Sequence, residues 1–305
     1  MPDALSIAGV RFRLLGSCPA GSLDFSPPFQ VFLNAPETAD LACDVVCLGP
    51  DPALAALPPD PNLPWSFAAS PDGIHTLTRR DAEGVVLWRI RATRSCDRAE
   101  LSWHPVRFEP VYGSYARSWD SGLGLTLLVF RLRAHGGLVF HGSTAQLDGR
   151  GVLCAGVSGS GKSTIARLLA AAGASVLTDE RPVVRQHAPP PAAPDAAPVF
   201  RVHGSPWPSA AGFAHRADAP LRRIYFLEHG DSDRLTPLSP PEAFRRLIQV
   251  ATIPWHDEAF FDPCLATVDT LLRSVPCAVL AFRPTAAVVD LIRHDLHRFP
   301  GGLDT

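Results

Sequence analysis

The strongest constraint on this chain is the glycine-rich segment Gly156-Val-Ser-Gly-Ser-Gly-Lys-Ser163. It fits the phosphate-binding pattern G-x-x-x-x-G-K-[ST] at every required position. The apolar run 151–155 precedes it, and residues 163–172, with apolar side chains at helical spacing, follow it and end before Gly173. A strand, a glycine loop and a helix in that order bring the free amides and the dipole of the helix N-terminus to a bound phosphate. The sequence therefore predicts a nucleoside-triphosphate site in an α/β domain.

The basic residues of the chain support this interpretation. There are 28 lysine and arginine residues, and Lys162 is the one lysine among them. An ammonium group is a compact charge on a flexible stem, whereas a guanidinium group is a broad planar fork. Only the compact charge fits between the β- and γ-phosphates while loop amides surround the same oxygens. A lysine at this position is therefore expected to contact the phosphates of ATP.

The loop also supplies a hydroxyl for a metal ion. Ser163 is the expected Mg²⁺ ligand, and its neighbour Thr164 is the alternative. The predicted nucleotide-binding residues of this segment are Gly156, Ser158, Gly159, Ser160, Gly161, Lys162, Ser163 and Thr164.

A second apolar strand, residues 174–178, ends in two carboxylates, Asp179 and Glu180. Ligands of doubly wound α/β folds lie at the carboxyl ends of the strands, so both acids should face the γ-phosphate. One acid can accept the proton of an attacking hydroxyl, and the other can hold Mg²⁺ directly or through water. The alternative is that the pair begins a solvated loop. Their position at a strand end beside a phosphate site favours the functional interpretation.

A histidine lies on the strand predicted before the loop. Residues 137–147 are expected to form one strand, which Asp148-Gly149 turns into the strand 151–155. If the two strands form a hairpin, His141 lies near the phosphate loop. A buried structural histidine is the other interpretation, and the residues leave both open.

The chain is predicted to divide near residue 115, into residues 1–115 and 116–305. The first part contains short alternating or β-branched runs separated by turn residues, which predict an antiparallel β domain. The expected strands are 9–15, 29–33, 42–48, 73–78, 85–92 and 99–103. The second part is expected to be the α/β domain, with helices 122–134, 241–251 (capped by Ser239) and 285–296 and strands 223–228 and 278–282. The proline-rich residues 188–198 predict a mobile loop or lid, or a plain surface insertion.

Composition excludes several classes of partner. The net charge is −2 and no basic run is present, which argues against a nucleic-acid partner. The longest apolar stretches are strand-length or carry charges, so no membrane span is expected. The N-terminal residues lack the features of a signal peptide. Seven scattered cysteines are expected to be reduced and mostly buried, which predicts a cytoplasmic protein. Whether the protein forms a homo-oligomer is left open.

These residues resemble a known family. His141-Gly142, the loop 156–163 and the pair Asp179-Glu180 recur in that order and spacing in HPr kinase/phosphorylase and its relatives, which share a fold with phosphoenolpyruvate carboxykinases. More closely, the chain resembles the shorter HPr-kinase-related proteins of ribosomal-peptide pathways, including lasso peptide kinases. The resemblance covers residues 120–297 and implies a P-loop kinase core of the HPr kinase type, preceded by a divergent β-rich N-terminal domain.

The resemblance also implies roles for single residues. By it, His141 is an active-site residue near the γ-phosphate, Asp179 is the general base and Glu180 helps to hold the metal, although the family has Asp-Asp here. Arg283-Pro284 resembles the family's arginine–proline turn, which implies a phosphate contact from Arg283, but the glycine and second arginine that follow in the family are absent.

One family signature is missing. The long glycine-rich segment tied to phosphorylase activity is replaced by residues 201–208, which we expect to line the acceptor side of the cleft. Packing around Trp207 is the alternative for that segment.

The sequence therefore predicts an ATP- and Mg²⁺-dependent kinase that transfers the γ-phosphate to a hydroxyl, with a serine of a peptide or protein as the favoured acceptor. Two alternatives remain. One is a small-molecule kinase on the same core, and the other is a nucleotide-binding regulatory module with little turnover.

Overall fold

The computed structural model describes residues 4–16, 25–34, 39–113, 115–120, 122–188, 199–256 and 258–298. The chain is mixed α/β and separates into two compact units, Met1–Arg131 and Leu132–Thr305. The division falls later than residue 115. Arg131 donates from Nε to the Ala42 carbonyl at 2.9 Å and from Nη1 to the Ser95 carbonyl at 3.1 Å, which holds it in the first unit. Residues 189–198 of the expected loop or lid lie outside the described residues.

The first unit contains a seven-stranded sheet in the order β1-β2-β3-β7-β6-β5-β4. Its strands are β1 (Ala4–Ile7), β2 (Val10–Gly16), β3 (Leu41–Pro50), β4 (Trp65–Ala69), β5 (Ile74–Arg80), β6 (Val86–Thr93) and β7 (Arg98–Trp103). Its helices are α1 (Pro27–Gln30), α2 (Pro52–Ala55), α3 (Phe108–Tyr112), α4 (Tyr115–Asp120) and α5 (Leu123–Leu132), the last ending at the unit boundary.

Two of the expectations for this unit are wrong. The sheet is mixed, because β3 pairs in parallel with both β2 and β7, and the long connections between these strands allow a parallel crossover. The predicted strand 29–33 does not form: Phe29 and Gln30 belong to helix α1, and residues 31 and 32 lie in a turn. Pro27 and Pro28 occupy its first positions, where the fixed φ of proline favours a helix start. Leu33 makes only an isolated bridge to Leu5.

The second unit contains a nine-stranded sheet among its described residues. The path runs β11-β9-β10-β14-β13-β12-β8, and β16 joins β14 to β15. The strands are β8 (Gly137–Val139), β9 (Gly142–Leu147), β10 (Arg150–Ala155), β11 (Ser175–Thr178), β12 (Val183–His187), β13 (Val199–His203), β14 (Asp218–His229), β15 (Arg234–Pro237) and β16 (Cys277–Phe282). The helices are α6 (Lys162–Ala171), α7 (Pro240–Val250), α8 (Glu258–Ser274) and α9 (Ala287–Arg298).

Strand β10 is buried on both faces, as the apolar run 151–155 predicts. Leu153 and Ala155 pack in a cluster with side chains of α7 and α8, and Val152 and Cys154 pack in a second cluster with side chains of α6 and α9. Successive strand residues point to opposite faces, so one short strand joins both halves of the core. This burial holds the end of β10, and the segment that follows it, in a defined place.

The predicted hairpin before the loop is confirmed, but the predicted strand 137–147 is broken. Strands β9 and β10 pair antiparallel, and Asp148 and Gly149 in the turn have φ of 50° and 77°. Strand β8 pairs with β12, whereas β9 pairs with β10 and β11. His141 lies between β8 and β9, and its N–H donates to the Val250 carbonyl at 2.6 Å instead of continuing a ladder.

The long helix α8 has no counterpart among the predicted elements. It contains Pro263, which normally breaks a helix at a cost of about 3 kcal/mol. Burial of side chains at helical spacing outweighs that cost; they are Phe260, Cys264, Thr267, Val268 and Leu271. For α7, Ser239 is the N-cap residue as predicted, without a side-chain capping hydrogen bond.

The cysteines behave as expected where the structure describes them. Six are buried with reduced thiols, namely Cys43, Cys47, Cys96, Cys154, Cys264 and Cys277, and Cys18 lies outside the described residues. Within the described parts of the chain, no helix has both the length and the apolar character needed to cross a membrane.

A buried charge pair ties α9 to the sheet, and we expect its loss to destabilise the fold. Asp295 Oδ2 accepts from Arg223 Nε at 2.8 Å and from the Tyr225 hydroxyl at 2.9 Å. Asp295→Ala leaves the Arg223 charge buried without its partner, so the free energy of unfolding should fall by about 3–5 kcal/mol. Asp290→Ala is the control, because this side chain on the same helix is 80% exposed. The control substitution should change the free energy of unfolding by about 0.5 kcal/mol or less. Urea denaturation of both variants measures the difference, and equal losses would contradict the assignment.

Candidate functional site

The candidate site lies at one edge of the second sheet. Strand β9 runs antiparallel to both β10 and β11, so β10 and β11 point the same way and their carboxyl ends share an edge. The glycine loop follows β10 at Ala155, and the acid pair follows β11 at Thr178. The two segments that the sequence marks for phosphate chemistry are therefore neighbours.

The backbone of the loop depends on its glycines. Gly159 and Gly161 have φ of 81° and 98°, in the left-handed region that side chains disfavour. A Cβ on Gly161 would lie 2.9 Å from the Phe282 ring, and one on Gly156 would lie 2.2 Å from Ser160 Oγ. The loop thus closes tightly over the end of β10 and delivers the chain into α6 at Lys162.

A cavity of about 420 Å³ opens beside this loop. The side chains and backbone that line it come from the loop, the first turn of α6, the β8–β9 break and the end of β11. They are His141, Ser158, Gly159, Gly161, Lys162, Ser163, Thr164 and Glu180. The predicted histidine, lysine and one predicted acid thus share one cavity with the glycine loop.

The Lys162 side chain is held in place by a hydrogen bond to the backbone of the glycine loop. Its side-chain Nζ donates to the Val157 carbonyl at 2.8 Å, and the residue is 7% exposed. Burial lowers the pKa of the Lys162 ammonium, Glu180 acts in the opposite direction, and Arg181 lowers the pKa further. The ammonium is therefore partly desolvated, and a desolvated cation interacts strongly with an anion that enters the cavity.

His141 and Glu180 lie in contact with each other and both line the cavity. His141 Nε2 lies 3.3 Å from Glu180 Oε1, and Arg181 Nη2 lies 3.8 Å from the same oxygen. Burial, followed by the charge of Lys162, lowers the pKa of His141. The lowered pKa favours the neutral imidazole, and 27% of the His141 side chain stays exposed. A neutral imidazole on a cavity wall can exchange hydrogen bonds with a ligand, unlike the buried structural histidine that was the other interpretation.

Asp179 is fully buried and is not among the described residues that line this cavity. Its Oδ1 accepts from the Ser209 N–H at 3.1 Å, and its Oδ2 accepts from the Ser209 hydroxyl. The Ser209 hydroxyl in turn lies 3.2 Å from Ser163 Oγ. Ser209 therefore connects the acid after β11 to the hydroxyl predicted to bind the metal.

Sequence reasoning missed Ser209 and Arg181. Ser209 lies one residue past the segment 201–208, in the connection between β13 and β14, and no local pattern marks it. Arg181 had a signal, since it directly follows the acid pair. Both are recognised only when the folded chain brings them to Asp179 and Glu180.

Two predicted contacts are not brought to the cavity. Arg283 is exposed, and its N–H donates to Asp233 Oδ1 at 2.8 Å; it is not among the described residues that line the cavity. Arg283 directly follows β16, which ends at Phe282, and its predicted phosphate contact stays a prediction. Trp207 is 8% exposed, which favours packing, the alternative interpretation of residues 201–208. Arg201 in that segment pairs with Asp218.

The described residues contain no group of three or more His, Cys, Asp or Glu side chains arranged to hold a metal ion. The three predicted Mg²⁺ ligands, Ser163, Asp179 and Glu180, lie at this edge as one hydroxyl and two carboxylates. Asp179 and Ser163 are linked through Ser209, while Glu180 faces His141.

Comparisons with known proteins give a family-model match over less than half of the chain and a weak structural likeness. A family model described as "SynChlorMet cassette protein ScmC" matches residues 122–267. No curated protein matches the chain. A solved structure of the Hpr(Ser) kinase/phosphatase from Coxiella burnetii is 13% identical and covers 53% of this chain and 99% of its own, with a TM-score of 0.31. At that score the likeness carries no weight, so function must be argued from the site.

The close approach at Gly161 generates a stability test. Gly161→Ala places a methyl group against the Phe282 ring at positive φ, whereas Gly173→Ala has positive φ (85°) but nothing within 4 Å. The left-handed backbone costs each variant about 1–2 kcal/mol, and Gly161→Ala should lose roughly 1–3 kcal/mol more from overpacking. Thermal and urea unfolding of the pair measure the difference. Identical losses would show that the loop does not close on Phe282.

Proposed function

We propose that this protein is an ATP- and Mg²⁺-dependent kinase that transfers the γ-phosphate to a hydroxyl group. One observation carries the proposal: Lys162, His141 and Glu180 line the same cavity as the glycine loop. Asp179 lies at the same sheet edge, at the end of β11. Phosphoryl transfer relies mainly on positioning and on neutralisation of charge, and this cavity offers groups for both.

The cavity fits a row of phosphates. The loop has no Cβ at Gly156, Gly159 and Gly161, so backbone amides can approach phosphate oxygens without steric hindrance. Lys162 is tied only to the Val157 carbonyl of the same loop in the described contacts. A charged phosphate oxygen is a stronger hydrogen-bond acceptor than a carbonyl oxygen. When ATP binds, the Lys162 ammonium would therefore leave the Val157 carbonyl and donate to a phosphate oxygen.

The oxygen donors at the site suit Mg²⁺, which prefers hydroxyl, carboxylate and phosphate oxygens. Ser163 and Glu180, which line the cavity, would hold it, with Asp179 at the same sheet edge as the third predicted ligand. When bound, Mg²⁺ would neutralise charge on the transferred phosphate. The Glu180 carboxylate lies near His141 and Arg181, and these two groups keep it directed at the cavity.

Asp179 is the candidate base for the acceptor hydroxyl. It is fully buried, and its described partners are the N–H and hydroxyl of Ser209, with no ion pair to a cation. A carboxylate that is oriented by two donors and screened from water is suited to accept a proton at a fixed position. His141, which lines the same cavity, would donate a hydrogen bond to a phosphate oxygen.

A serine of a peptide or protein is our proposed acceptor. The order of His141-Gly142, the glycine loop and Asp179-Glu180 resembles HPr kinases and the related kinases of ribosomal-peptide pathways, and this resemblance supports that acceptor class. The two alternatives differ in measurable ways, since a small-molecule kinase would label only metabolites and a regulatory module would bind ATP without transferring phosphate.

The first test of the proposal concerns Lys162. Lys162→Ala should lower ATP-dependent phosphate transfer by about ten- to a thousandfold, because it removes the charge on the phosphates. Lys162→Arg should fail similarly, because the planar guanidinium does not fit the glycine loop. The control is Arg167→Ala, since Arg167 is exposed on the same helix. Calorimetric ATP titration and a radiolabelled-ATP assay measure binding and transfer, and near-normal transfer by the arginine variant would contradict the role assigned to Lys162.

The second test separates the two acids. Asp179→Asn keeps the size of the side chain and removes its basicity, so transfer should fall by about 10²–10⁴-fold while ATP still binds. Glu180→Gln should instead raise the Mg²⁺ concentration needed for half-maximal transfer. Asp269→Asn, at a 59% exposed position, is the control. If the two site variants have the same Mg²⁺ dependence and the same rate, their roles are not distinct.

A further inference from the structure

The base proposed for this kinase is already occupied by a hydroxyl of the same chain. Asp179 has two carboxylate oxygens, and Ser209 donates to both, from its N–H to Oδ1 at 3.1 Å and from its hydroxyl to Oδ2. Asp179 is fully buried, and the described residues show no other hydrogen bond to it. Any hydroxyl from outside must therefore displace Ser209 to reach Asp179.

This contact has the geometry that general-base catalysis requires. A base must lie within hydrogen-bond reach of the proton that it removes. Among the described side chains, the hydroxyl that meets this condition for Asp179 is that of Ser209. The serines of the glycine loop do not lie within hydrogen-bond reach of Asp179. Ser163 Oγ contacts Ser209, and Ser160 Oγ is buried without a described partner.

Ser209 also lies beside the phosphate loop. Its hydroxyl is 3.2 Å from Ser163 Oγ, and Ser163 lines the cavity that we assign to the phosphates. Ser209 is only half-buried and belongs to the connection between β13 and β14, outside any strand or helix. A small movement of such a connection is less costly than a movement of the sheet.

A purely structural role would explain part of this pattern. The Ser209 hydroxyl accepts from the Ala211 N–H at 3.3 Å, which is the contact of a serine in a turn. A turn contact alone does not require a hydroxyl that donates to a buried carboxylate next to a phosphate loop. A structural serine can also satisfy a buried carboxylate, so what points to chemistry is that this hydroxyl lies between the proposed base and Ser163 of the phosphate cavity.

We propose that Ser209 is an internal phosphate acceptor, so that the protein phosphorylates itself at this residue when no other acceptor is present. The inference rests on the proposed kinase function. In the step, a bond forms between Ser209 Oγ and the γ-phosphorus of ATP, and the bond from that phosphorus to the β–γ bridging oxygen breaks. ADP leaves with that bonding pair, and Asp179 Oδ2 takes the proton of the Ser209 hydroxyl.

The test uses the full-length protein with ATP and Mg²⁺ and no added acceptor, followed by mass-spectrometric mapping of phosphorylated residues over time. We expect about one phosphate per chain on Ser209, at a rate independent of protein concentration, because the base and acceptor belong to one molecule. Ser209→Ala should abolish the label, and Ser209→Thr should restore it as phosphothreonine. Asp179→Asn should slow it by about 10²–10⁴-fold. Ser232→Ala, at an exposed position, should leave it unchanged.

The outcomes distinguish this inference from the function on which it rests. If wild-type protein converts ATP to ADP or labels an added peptide but carries no phosphate on Ser209, the self-phosphorylation is wrong and the kinase function stands. Label on another residue that persists in Ser209→Ala has the same meaning. If the wild-type protein does not bind ATP, both proposals fail. Circular dichroism of Ser209→Ala and Ser209→Thr confirms that lost label does not come from lost fold.

Discussion

The pairing of β9 with both β10 and β11 is the interaction on which the candidate site depends. Because β9 runs antiparallel to each neighbour, the glycine loop after β10 and the acids after β11 emerge at the same edge. The β8–β9 break supplies His141 at that edge as well. Strand β10 is packed on both faces, so the edge is anchored in both halves of the core. The loop therefore begins from a rigid base, and its glycines provide the turns that follow.

The two carboxylates at this edge, Asp179 and Glu180, lie in different electrostatic surroundings. Glu180 faces the cavity close to His141 and Arg181, and the charge of Lys162 contributes to lowering the pKa of His141. Asp179 is buried and bound by the neutral donors of Ser209. A carboxylate beside a cation such as Arg181 is suited to a metal or to charge balance, whereas one that accepts from a neutral hydroxyl is suited to act as a base toward that hydroxyl. The two acids are adjacent in sequence, but they occupy environments that favour separate tasks.

Local sequence patterns predicted the parts of the fold that local forces determine. The strand β10, the hairpin turn at Asp148-Gly149 and the helix α6 follow from apolar runs and from glycine conformations, and all three are confirmed. The break at His141 and the parallel pairing of β3 were missed, because they depend on partners distant in sequence. Ser209 was missed for the same reason, since only the folded connection after β13 brings it to Asp179. Helix α8 was missed because Pro263 hides a helical pattern that packing stabilises.

We propose that the glycine loop and the two acids form one site for ATP and Mg²⁺, and a crystal structure with Mg²⁺ and a non-hydrolysable ATP analogue would test this. We expect the triphosphate along residues 156–163, with Lys162 Nζ moved from the Val157 carbonyl to the phosphate oxygens, and with Glu180 and Ser163 at the metal. A nucleotide bound elsewhere on the chain, or a triphosphate in the loop with Lys162 still on Val157 and the metal away from both acids, would contradict this proposal.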